Sequence, residues 1–156
     1  MSDFLTDEQQ LYIEYEKNDH TRLIACAGSG KTRTIIEKIN NCIKNDKYKS
    51  ENILMLTFSR FTRDDFLNKI KKYNATYIDT KQVKTIDSFA KSLIDTDNEI
   101  DVSLLSYRFM KYLEQTSNED LLQNKKLTII KSIYVDEAQD LNEIQFNIFI
   151  LLKEKL

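Results

Sequence analysis

The sequence predicts an α/β fold: a parallel β-sheet with helices packed on both of its faces. Short apolar runs with the β-branched residues of strands alternate with segments that repeat apolar residues at helical spacing. No hairpin signal separates neighbouring strand segments, so consecutive strands are joined through helices and run parallel. The 156 residues are 41% hydrophobic and 31% charged, which suits one globular domain with its own core.

The first strand and helix flank the segment ACAGSGKT, residues 25–32, which contains both glycines of the chain, Gly28 and Gly30. Residues 21–27 have the composition of a short buried strand, and residues 31–45 repeat isoleucine at helical spacing. Glycine is needed where the backbone takes positive φ or where another group approaches the main chain closely. Both glycines therefore mark a special turn between a strand and a helix.

Lys31 and Thr32 follow the second glycine, at the predicted helix N-terminus. Free backbone N–H groups and the helix dipole favour an anion at that place. A lysine can reach the β- and γ-phosphates of a nucleotide, and a threonine hydroxyl can ligate Mg²⁺. The segment therefore matches the phosphate-binding loop G-x-x-x-x-G-K-[ST], except that Ala25 stands at the first glycine position.

The next two strands are predicted at residues 52–58 and 82–86. The run at 52–58 is apolar almost throughout, which is typical of a strand covered on both faces. Apolar residues four apart, beginning with Phe66, indicate the helix that follows it. The helix after 82–86 is expected to have Asp87 or Ser88 as its N-cap.

The last third of the chain is predicted to be helical, then a strand, then helical again. Residues 95–126 are polar and carry one apolar stripe, formed by Leu104, Leu105, Phe109 and Leu113. A strand ends at Val135. The final helix has one apolar face, formed by Ile144, Ile148, Leu151 and Leu152.

An acidic loop follows the last predicted strand and begins with Asp136 and Glu137. In a phosphate-loop enzyme the first acid holds Mg²⁺, directly or through water, and the second can polarise the water that attacks the γ-phosphorus. Ligands of an open parallel sheet bind outside the carboxyl ends of its strands, so both loops are expected at one site. The two motifs together predict a nucleotide hydrolase.

Composition excludes several other kinds of site. The net charge of −2 and the pI near 5.5 lack the basic footprint of bulk electrostatic nucleic-acid binding. Cys26, Cys42 and His20 show no metal-ligand spacing. No apolar run reaches the roughly 20 residues that span a bilayer, and the acidic start resembles neither a signal nor a transit peptide. We therefore expect an intracellular protein with no membrane partner.

Four segments resemble, in order, motifs I, Ia, Ib and II of the superfamily 1 helicases, specifically the UvrD/Rep-like group. They are AGSGKT, LTFSRFTRDDF, KTIDSFA and VDEAQDLNEIQ. The likeness runs from Leu5 to about Gln145. It implies a RecA-like P-loop NTPase lobe of an ATP-dependent DNA helicase, which binds ATP and Mg²⁺ and has single-stranded DNA as a partner.

The resemblance assigns roles to individual residues. The nucleotide-binding residues would be Gln9, Ala27, Gly28, Ser29, Gly30, Lys31, Thr32, Arg33 and Gln139. Catalysis would rest on Lys31 and Glu137, and the metal would be held by Thr32 and Asp136. Gln139 would couple the γ-phosphate to a second motor lobe. Gln9 would hydrogen-bond the adenine edge, although Thr6 and Gln9 also match the capping box of a helix start.

The DNA-binding residues implied by the resemblance are Thr57, Phe58, Arg60, Thr85 and Ser88. Hydroxyl and guanidinium groups bind phosphates and an aromatic face stacks on a base, which gives a grip that is independent of sequence. Phe58 also continues a buried strand, so a core position is the alternative. Asp87 stands where the family usually has histidine, and a carboxylate beside a phosphodiester is repulsive.

The same resemblance makes residues 1–156 a partial N-terminal RecA-like ATP-binding domain, with 95–126 as a short helical insertion before the acidic motif. We expect the lobe to be incomplete relative to the full helicase motor, and a second chain could supply the missing RecA-like lobe. One alternative is a non-catalytic ATP- or DNA-binding fragment or subunit. Another is a phosphate-loop kinase or small NTPase unrelated to DNA, against which the TFSR, TIDSF and QD segments argue.

Overall fold

The computed structural model of the protein describes residues 5–15, 20–24, 28–94 and 104–155. Its described strands form one three-stranded sheet. The strands are β1 (Ile53–Thr57), β2 (Val83–Thr85) and β3 (Ser132–Val135). β1 lies in the middle and pairs in parallel with both neighbours, so that Leu56 is opposite Lys84 of β2 and Val135 of β3. The parallel sheet predicted from the sequence is therefore confirmed.

Helices connect the strands and follow the last one. They are α1 (Asp7–Glu14), α2 (Lys31–Lys44), α3 (Arg60–Lys72), α4 (Ile86–Leu93), α5 (Leu105–Gln115), α6 (Asn118–Gln123), α7 (Lys125–Thr128) and α8 (Glu143–Lys155). Short 3₁₀ turns lie at Ser50–Asn52, Thr80–Gln82 and Ala138–Asp140. Within the described ranges, no helix combines the length and the apolar character needed to cross a membrane.

The two faces of the sheet are covered by different helices. Alternate side chains of β1 point to opposite faces, as the pleat of a strand requires. Leu54 and Leu56 pack in a cluster with residues of α4, α5 and α8. Ile53 and Met55 pack in a second cluster with residues of α2 and α3. All five residues of β1 are buried, which explains the continuous apolar run in the sequence.

Most of the predicted helical faces are buried. Leu105, Phe109 and Leu113 of α5 are buried, and the Phe109 ring meets the Phe89 ring edge-on at a centroid distance of 5.8 Å. Leu104 was expected in the same stripe, but it is exposed. It precedes the first residue of α5, so its side chain does not lie on the face that α5 turns to the core.

Two helices are closed by a left-handed residue other than glycine. α2 and α3 are each followed, two residues after their last residue, by an amino acid in the left-handed region: Asp46 with φ 55° and Asn74 with φ 51°. Asn and Asp tolerate this conformation better than other side chains. Backbone bonds then close each helix end, from the N–H of Lys47 to the carbonyl of Cys42 and from the N–H of Ala75 to that of Ile70.

The N-cap of α4 differs from the expectation. Thr85 is the N-cap, and its hydroxyl accepts a hydrogen bond from the N–H of Ser88 at 3.1 Å. Asp87 and Ser88 lie within the first turn. The helix begins earlier than predicted because the last residue of β2 has the extended backbone and the side-chain oxygen that a cap requires.

The strand predicted at residues 21–27 is not part of the sheet over its described portion. Residues 21–24 have no regular secondary structure, and the side chain of Ile24 is 79% exposed. Residues 25–27, with Ala25 and Ala27, lie outside the described residues. Leu23, in the same stretch, is partly buried and packs against the second core cluster.

Candidate nucleotide site

The phosphate loop and the acidic loop meet at the carboxyl end of β3. The hydroxyl Oγ1 of Thr32, in the first turn of α2, donates a hydrogen bond of 2.8 Å to Oδ2 of Asp136. Both side chains are buried. Their positions are 104 residues apart in the chain, so the fold brings together the two residues that the sequence predicts as metal ligands.

The two glycines take the backbone conformations for which glycine is required. Gly28 has φ 76° and Gly30 has φ 89°, both in the left-handed region. Gly30 is the N-cap of α2 and has a second constraint, because a Cβ there would lie 3.1 Å from Nε2 of Gln9. The carbonyl of Gly30 accepts from the Thr34 hydroxyl at 3.1 Å and from the Thr34 N–H at 2.9 Å. The turn is therefore special in the way that the sequence predicts.

Gln9 serves both the start of α1 and the phosphate loop. Its Oε1 accepts from the N–H of Thr6 at 2.9 Å, and its N–H donates to the Thr6 hydroxyl at 3.3 Å, which completes a capping box. Its Nε2 donates to the carbonyl of Ser29 at 3.0 Å. The capping role of Thr6 and Gln9 is confirmed. The same side chain also fixes α1 to the loop.

Asp136 is a buried carboxyl beside a hydroxyl. Burial raises the pKa of Asp136 above its ordinary value, and the hydrogen bond from Thr32 opposes that rise. Mg²⁺ prefers oxygen ligands, and the hydroxyl of Thr32 and the carboxylate of Asp136 both offer them. The separation of 2.8 Å between Thr32 Oγ1 and Asp136 Oδ2 is that of an ordinary hydrogen bond.

Glu137 has an unusual backbone. Its φ of 51° and ψ of 45° place it in the left-handed region. Asp46 and Asn74 share this region but close helix ends, whereas Glu137 lies directly after Asp136 in the acidic loop. A non-glycine residue in this region stores about 1–3 kcal/mol of strain, and such residues occur at functional sites as well as at helix ends. The strained residue is the one that the sequence predicts as the catalytic base.

Gln139 contacts Glu137 directly. Its Nε2 donates to Oε2 of Glu137 at 2.5 Å, and the N–H of Glu137 donates to Oδ1 of Asp136 at 3.1 Å. Gln139 and Asp140 are exposed at the surface of the loop. The carboxylate of Glu137 is thus held by Gln139, the residue that the resemblance expects to couple the γ-phosphate to a second motor lobe.

Lys69 is a neighbour of the site that sequence reasoning missed. Its Nζ lies 3.4 Å from Oγ1 of Thr32 and forms an ion pair of 2.7 Å with Asp65. In the sequence, Asp65 and Lys69 have only the four-residue spacing of a surface ion pair on a helix. The packing of α3 beside α2 brings this ammonium group to Thr32, the predicted metal ligand.

The remaining predicted nucleotide-binding residues lie at or near the start of α2. Lys31 is the first residue of that helix and is half-buried. The guanidinium of Arg33 lies 5.4 Å from the centroid of the Tyr73 ring, which makes a cation–π contact. Ser29 is exposed, and Ala27 lies outside the described residues.

The predicted DNA-binding residues fall into a buried and an exposed group. Thr57 has no exposed surface, and its hydroxyl can donate its one hydrogen to the carbonyl of Ser59 or of Lys84, at 3.3 and 3.4 Å. Thr85 is also buried and caps α4. Arg60 and Ser88 are exposed, and Phe58 is half-buried. The exposed groups are the ones that a nucleic acid can reach.

Two further features of this surface are visible only in the structure. Phe61, next to Arg60, is 84% exposed, although its aromatic side chain gave no functional signal in the sequence. The carboxylate of Asp87 accepts a hydrogen bond of 2.6 Å from the hydroxyl of Ser106. Asp87 thus joins the start of α4 to α5, which gives the acid a structural partner where the resemblance expects histidine.

Comparison with known proteins identifies a family. The family model described as the UvrD/REP helicase N-terminal domain matches residues 5–99 and 92–156. No solved structure matches the chain at a significant level.

Two of the following three relatives have "DNA helicase" in their names. The chain is 36% identical over 155 residues to the "Putative ATP-dependent DNA helicase R568" of Acanthamoeba polyphaga mimivirus, covering 96% of this chain and 22% of that protein. It is 34% identical over 141 residues to the "RecBCD enzyme subunit RecB" of Borreliella burgdorferi, covering 90% of this chain and 11% of that protein. It is 27% identical over 138 residues to the "Probable DNA helicase II homolog" of Mycoplasma capricolum subsp. capricolum, covering 83% and 19%.

The chain therefore spans between 11% and 22% of the length of these curated relatives. The family match, by contrast, extends over nearly the whole of this chain and includes both loops of the site. The likeness seen in the four motifs is thus confirmed independently. The chain belongs to the UvrD/Rep helicase family, and it corresponds to that family's N-terminal domain.

Proposed function

We propose that the chain is the ATP-binding part of a UvrD/Rep-type ATP-dependent DNA helicase and that it binds Mg·ATP and single-stranded DNA. The observation that carries the proposal is the 2.8 Å hydrogen bond between Thr32 and Asp136. It joins a phosphate-binding loop to an acidic loop whose next residue, Glu137, has a strained backbone. The helicase names of the relatives support the same reaction class.

The phosphates of ATP would bind at the start of α2. The left-handed backbone at Gly28 and Gly30 leads into the first turn of that helix, where N–H groups and the helix dipole attract an anion. Lys31 would place its ammonium on the β- and γ-phosphates. Thr32 and Asp136 would hold Mg²⁺, which, when bound, neutralises charge that develops on the phosphates.

Glu137 would act as the base for hydrolysis. Its carboxylate would accept a proton from the attacking water and orient that water towards the γ-phosphorus. The amide of Gln139 holds Glu137 Oε2, so a movement of Gln139 on contact with phosphate would reposition the base. Both residues are near enough to act as one unit.

Gln9 would recognise the adenine. One hydrogen of its Nε2 is used by the Ser29 carbonyl, which leaves the second hydrogen for an acceptor on the base. Gln9 would therefore link the base to the loop that holds the phosphates.

Single-stranded DNA would bind at the exposed surface beside β1 and β2. Arg60 and Ser88 would contact phosphates, and Phe58 with Phe61 would provide apolar faces for bases. Thr57 and Thr85 would support this surface from beneath, since both side chains are buried and hydrogen-bonded within the protein. The protein would work inside the cell, where ATP and DNA are present, with a second RecA-like lobe supplied by another part of the motor.

The proposal is tested by measuring ATP binding and hydrolysis with and without single-stranded DNA. Lys31→Ala should weaken Mg·ATP binding by about tenfold or more in calorimetry, because it removes a charge-assisted contact with phosphate. The matched control is Lys44→Ala, since Lys44 is an exposed lysine at the other end of the same helix. Equal ATP affinity in wild type and Lys31→Ala would refute the phosphate-loop assignment.

Glu137→Gln separates binding from hydrolysis. The amide keeps the shape of the side chain but cannot accept a proton, so ATP affinity should stay within about twofold while hydrolysis falls by about 10²-fold or more. Single-turnover hydrolysis measures the rate. An unchanged rate would place the base elsewhere, and ATP binding with no hydrolysis in the wild type, with or without DNA, would favour a non-catalytic ATP-binding subunit.

A further inference from the structure

Lys38 is a buried lysine on the second helix. Only 9% of its surface is exposed. Lysine is almost never buried without partners, so the contacts of Lys38 need to be identified. Its Nζ donates a hydrogen bond of 2.9 Å to the carbonyl of Ile13, and it also donates to the carbonyl of Tyr15. Ile13 lies in the last turn of α1, and Tyr15 directly follows that helix. Lys38 therefore caps the end of a helix other than its own.

The contact is chemically strong. The last carbonyls of a helix lack partners within the helix and carry the negative end of its dipole. The last turn of α1 contains no basic residue of its own, so the ammonium from α2 supplies the charge that this end favours. Hydrogen bonds from a charged donor contribute roughly twice as much as those between neutral groups.

One end of α1 is thus attached to the phosphate loop, and the other end is attached to α2. At its start, Gln9 bonds the carbonyl of Ser29 in the loop. At its end, Lys38 bonds the carbonyls of Ile13 and Tyr15. Because the capping box with Thr6 fixes the Gln9 side chain, the position of its amide depends on where α1 lies.

We infer that Lys38 is a positioning residue for adenine recognition: it holds α1 against α2 so that the amide of Gln9 faces the base of a nucleotide bound at the phosphate loop. This inference rests on the proposed function, since it concerns the same nucleotide site. Lys38 acts through Gln9 and touches neither phosphate nor base. Lys38 should therefore contribute to the binding free energy that comes from adenine, and it should not change the binding free energy that comes from the phosphates.

The test compares ATP with inorganic tripolyphosphate, which offers the same phosphates without a base. Lys38→Met keeps the length of the apolar stem and removes the charge. It should weaken Mg·ATP binding about three- to tenfold, the loss of about one hydrogen bond, and change tripolyphosphate binding by less than about twofold. Gln9→Ala should give the same pattern, and the double variant should lose no more than either single variant, because both changes remove one interaction. Lys38→Arg should restore most of the ATP affinity, and Lys44→Met is the matched control.

The outcomes separate this inference from the proposed function. If the wild type binds neither ATP nor tripolyphosphate, the proposed function fails. If the wild type binds both and Lys38→Met weakens them equally, or weakens neither, only the role of Lys38 is refuted. If Lys38→Met does not fold, hydrogen exchange of the wild type decides: ATP should protect the amides around Ile13 and Tyr15 more than tripolyphosphate does, and equal protection would refute the inference.

Discussion

Glu137, Gly28 and Gly30 share a left-handed backbone for different physical reasons. The glycines have no Cβ, so the conformation costs them little, and Gly30 also admits the amide of Gln9 at close range. Glu137 has a full side chain and takes the conformation at a cost of about 1–3 kcal/mol. The surrounding hydrogen bonds to Asp136 and from Gln139 hold it there.

Gly28 and Gly30 share a left-handed backbone but differ in their surroundings, so replacing each by alanine should have different effects on stability. Gly28→Ala and Gly30→Ala should each lose about 1–2 kcal/mol of unfolding free energy from the left-handed backbone. Gly30→Ala should lose about 1 kcal/mol more, because its new Cβ displaces Gln9 from the Ser29 carbonyl, whereas nothing lies within 4 Å of a Cβ at Gly28. Urea unfolding measures both losses. In a Gln9→Ala background the difference should disappear; a difference that persists would mean that Gln9 is not its cause.

Arg60 allows a second prediction at this scale, on DNA binding. Its exposed guanidinium can contact a phosphate, so Arg60→Ala should weaken binding of a fluorescent oligonucleotide about three- to tenfold, with a smaller effect at high salt. The unfolding free energy of the Arg60→Ala variant should stay within about 0.5 kcal/mol of the wild-type value. Arg63→Ala is the control, because the guanidinium of Arg63 is paired with Asp64. Equal effects of the two changes would remove the specific role of Arg60.

At the scale of elements, the segments that resemble motifs Ia and Ib each contain a threonine that ends a strand and also stabilises the turn after it. Thr85 ends β2 and caps α4, and Thr57 ends β1 with its hydroxyl turned to backbone carbonyls. The sequence marks both as DNA contacts by resemblance. Their burial indicates that they shape the turns from which exposed neighbours reach outwards.

The cap of α4 gives the element-scale prediction. Thr85→Ala should lower the unfolding free energy by about 1 kcal/mol, since the N–H of Ser88 loses its acceptor. Thr85→Ser keeps that oxygen and should recover most of the loss. Thermal unfolding measures both variants. If Thr85→Ser were as unstable as Thr85→Ala, the packing of the Thr85 methyl group, and not its cap, would explain the effect.

At the scale of the whole molecule, the described sheet is unequally covered. β1 is buried throughout, whereas each residue of β3 is only half-buried. Among the described strands, β3 pairs only with β1, which leaves its other side available to a further strand. The acidic loop directly follows the carboxyl end of β3.

The 156-residue polypeptide by itself is expected to hydrolyse ATP slowly and to unwind no DNA. Arginine fingers contribute about 10³–10⁵ to the rate in phosphate-loop enzymes, and translocation needs two lobes that open and close around ATP. A strand-displacement assay on the purified polypeptide tests this. ATP-dependent unwinding that Lys31→Ala abolishes would contradict the expectation and show that this lobe suffices.

The sequence by itself determined most of the kinds of element and the chemistry that we expect of the site. Continuous apolar runs and helical spacing indicate which residues of one element are buried, so β1, α2, α3 and α8 could be predicted from their own residues. The glycines before Lys31 and the acids at Asp136 and Glu137 are local requirements of phosphate and metal chemistry. Such features need no knowledge of distant neighbours.

Only the tertiary structure decided which groups lie together. The contact of Thr32 with Asp136, the approach of Lys69 and the bonds from Gln9 and Lys38 all join separate elements. Residue spacing within one element does not report which face of another helix lies against it, because that depends on sheet register and helix packing. The chain therefore specifies its chemistry locally, while the arrangement of that chemistry into a site depends on contacts between residues far apart in sequence.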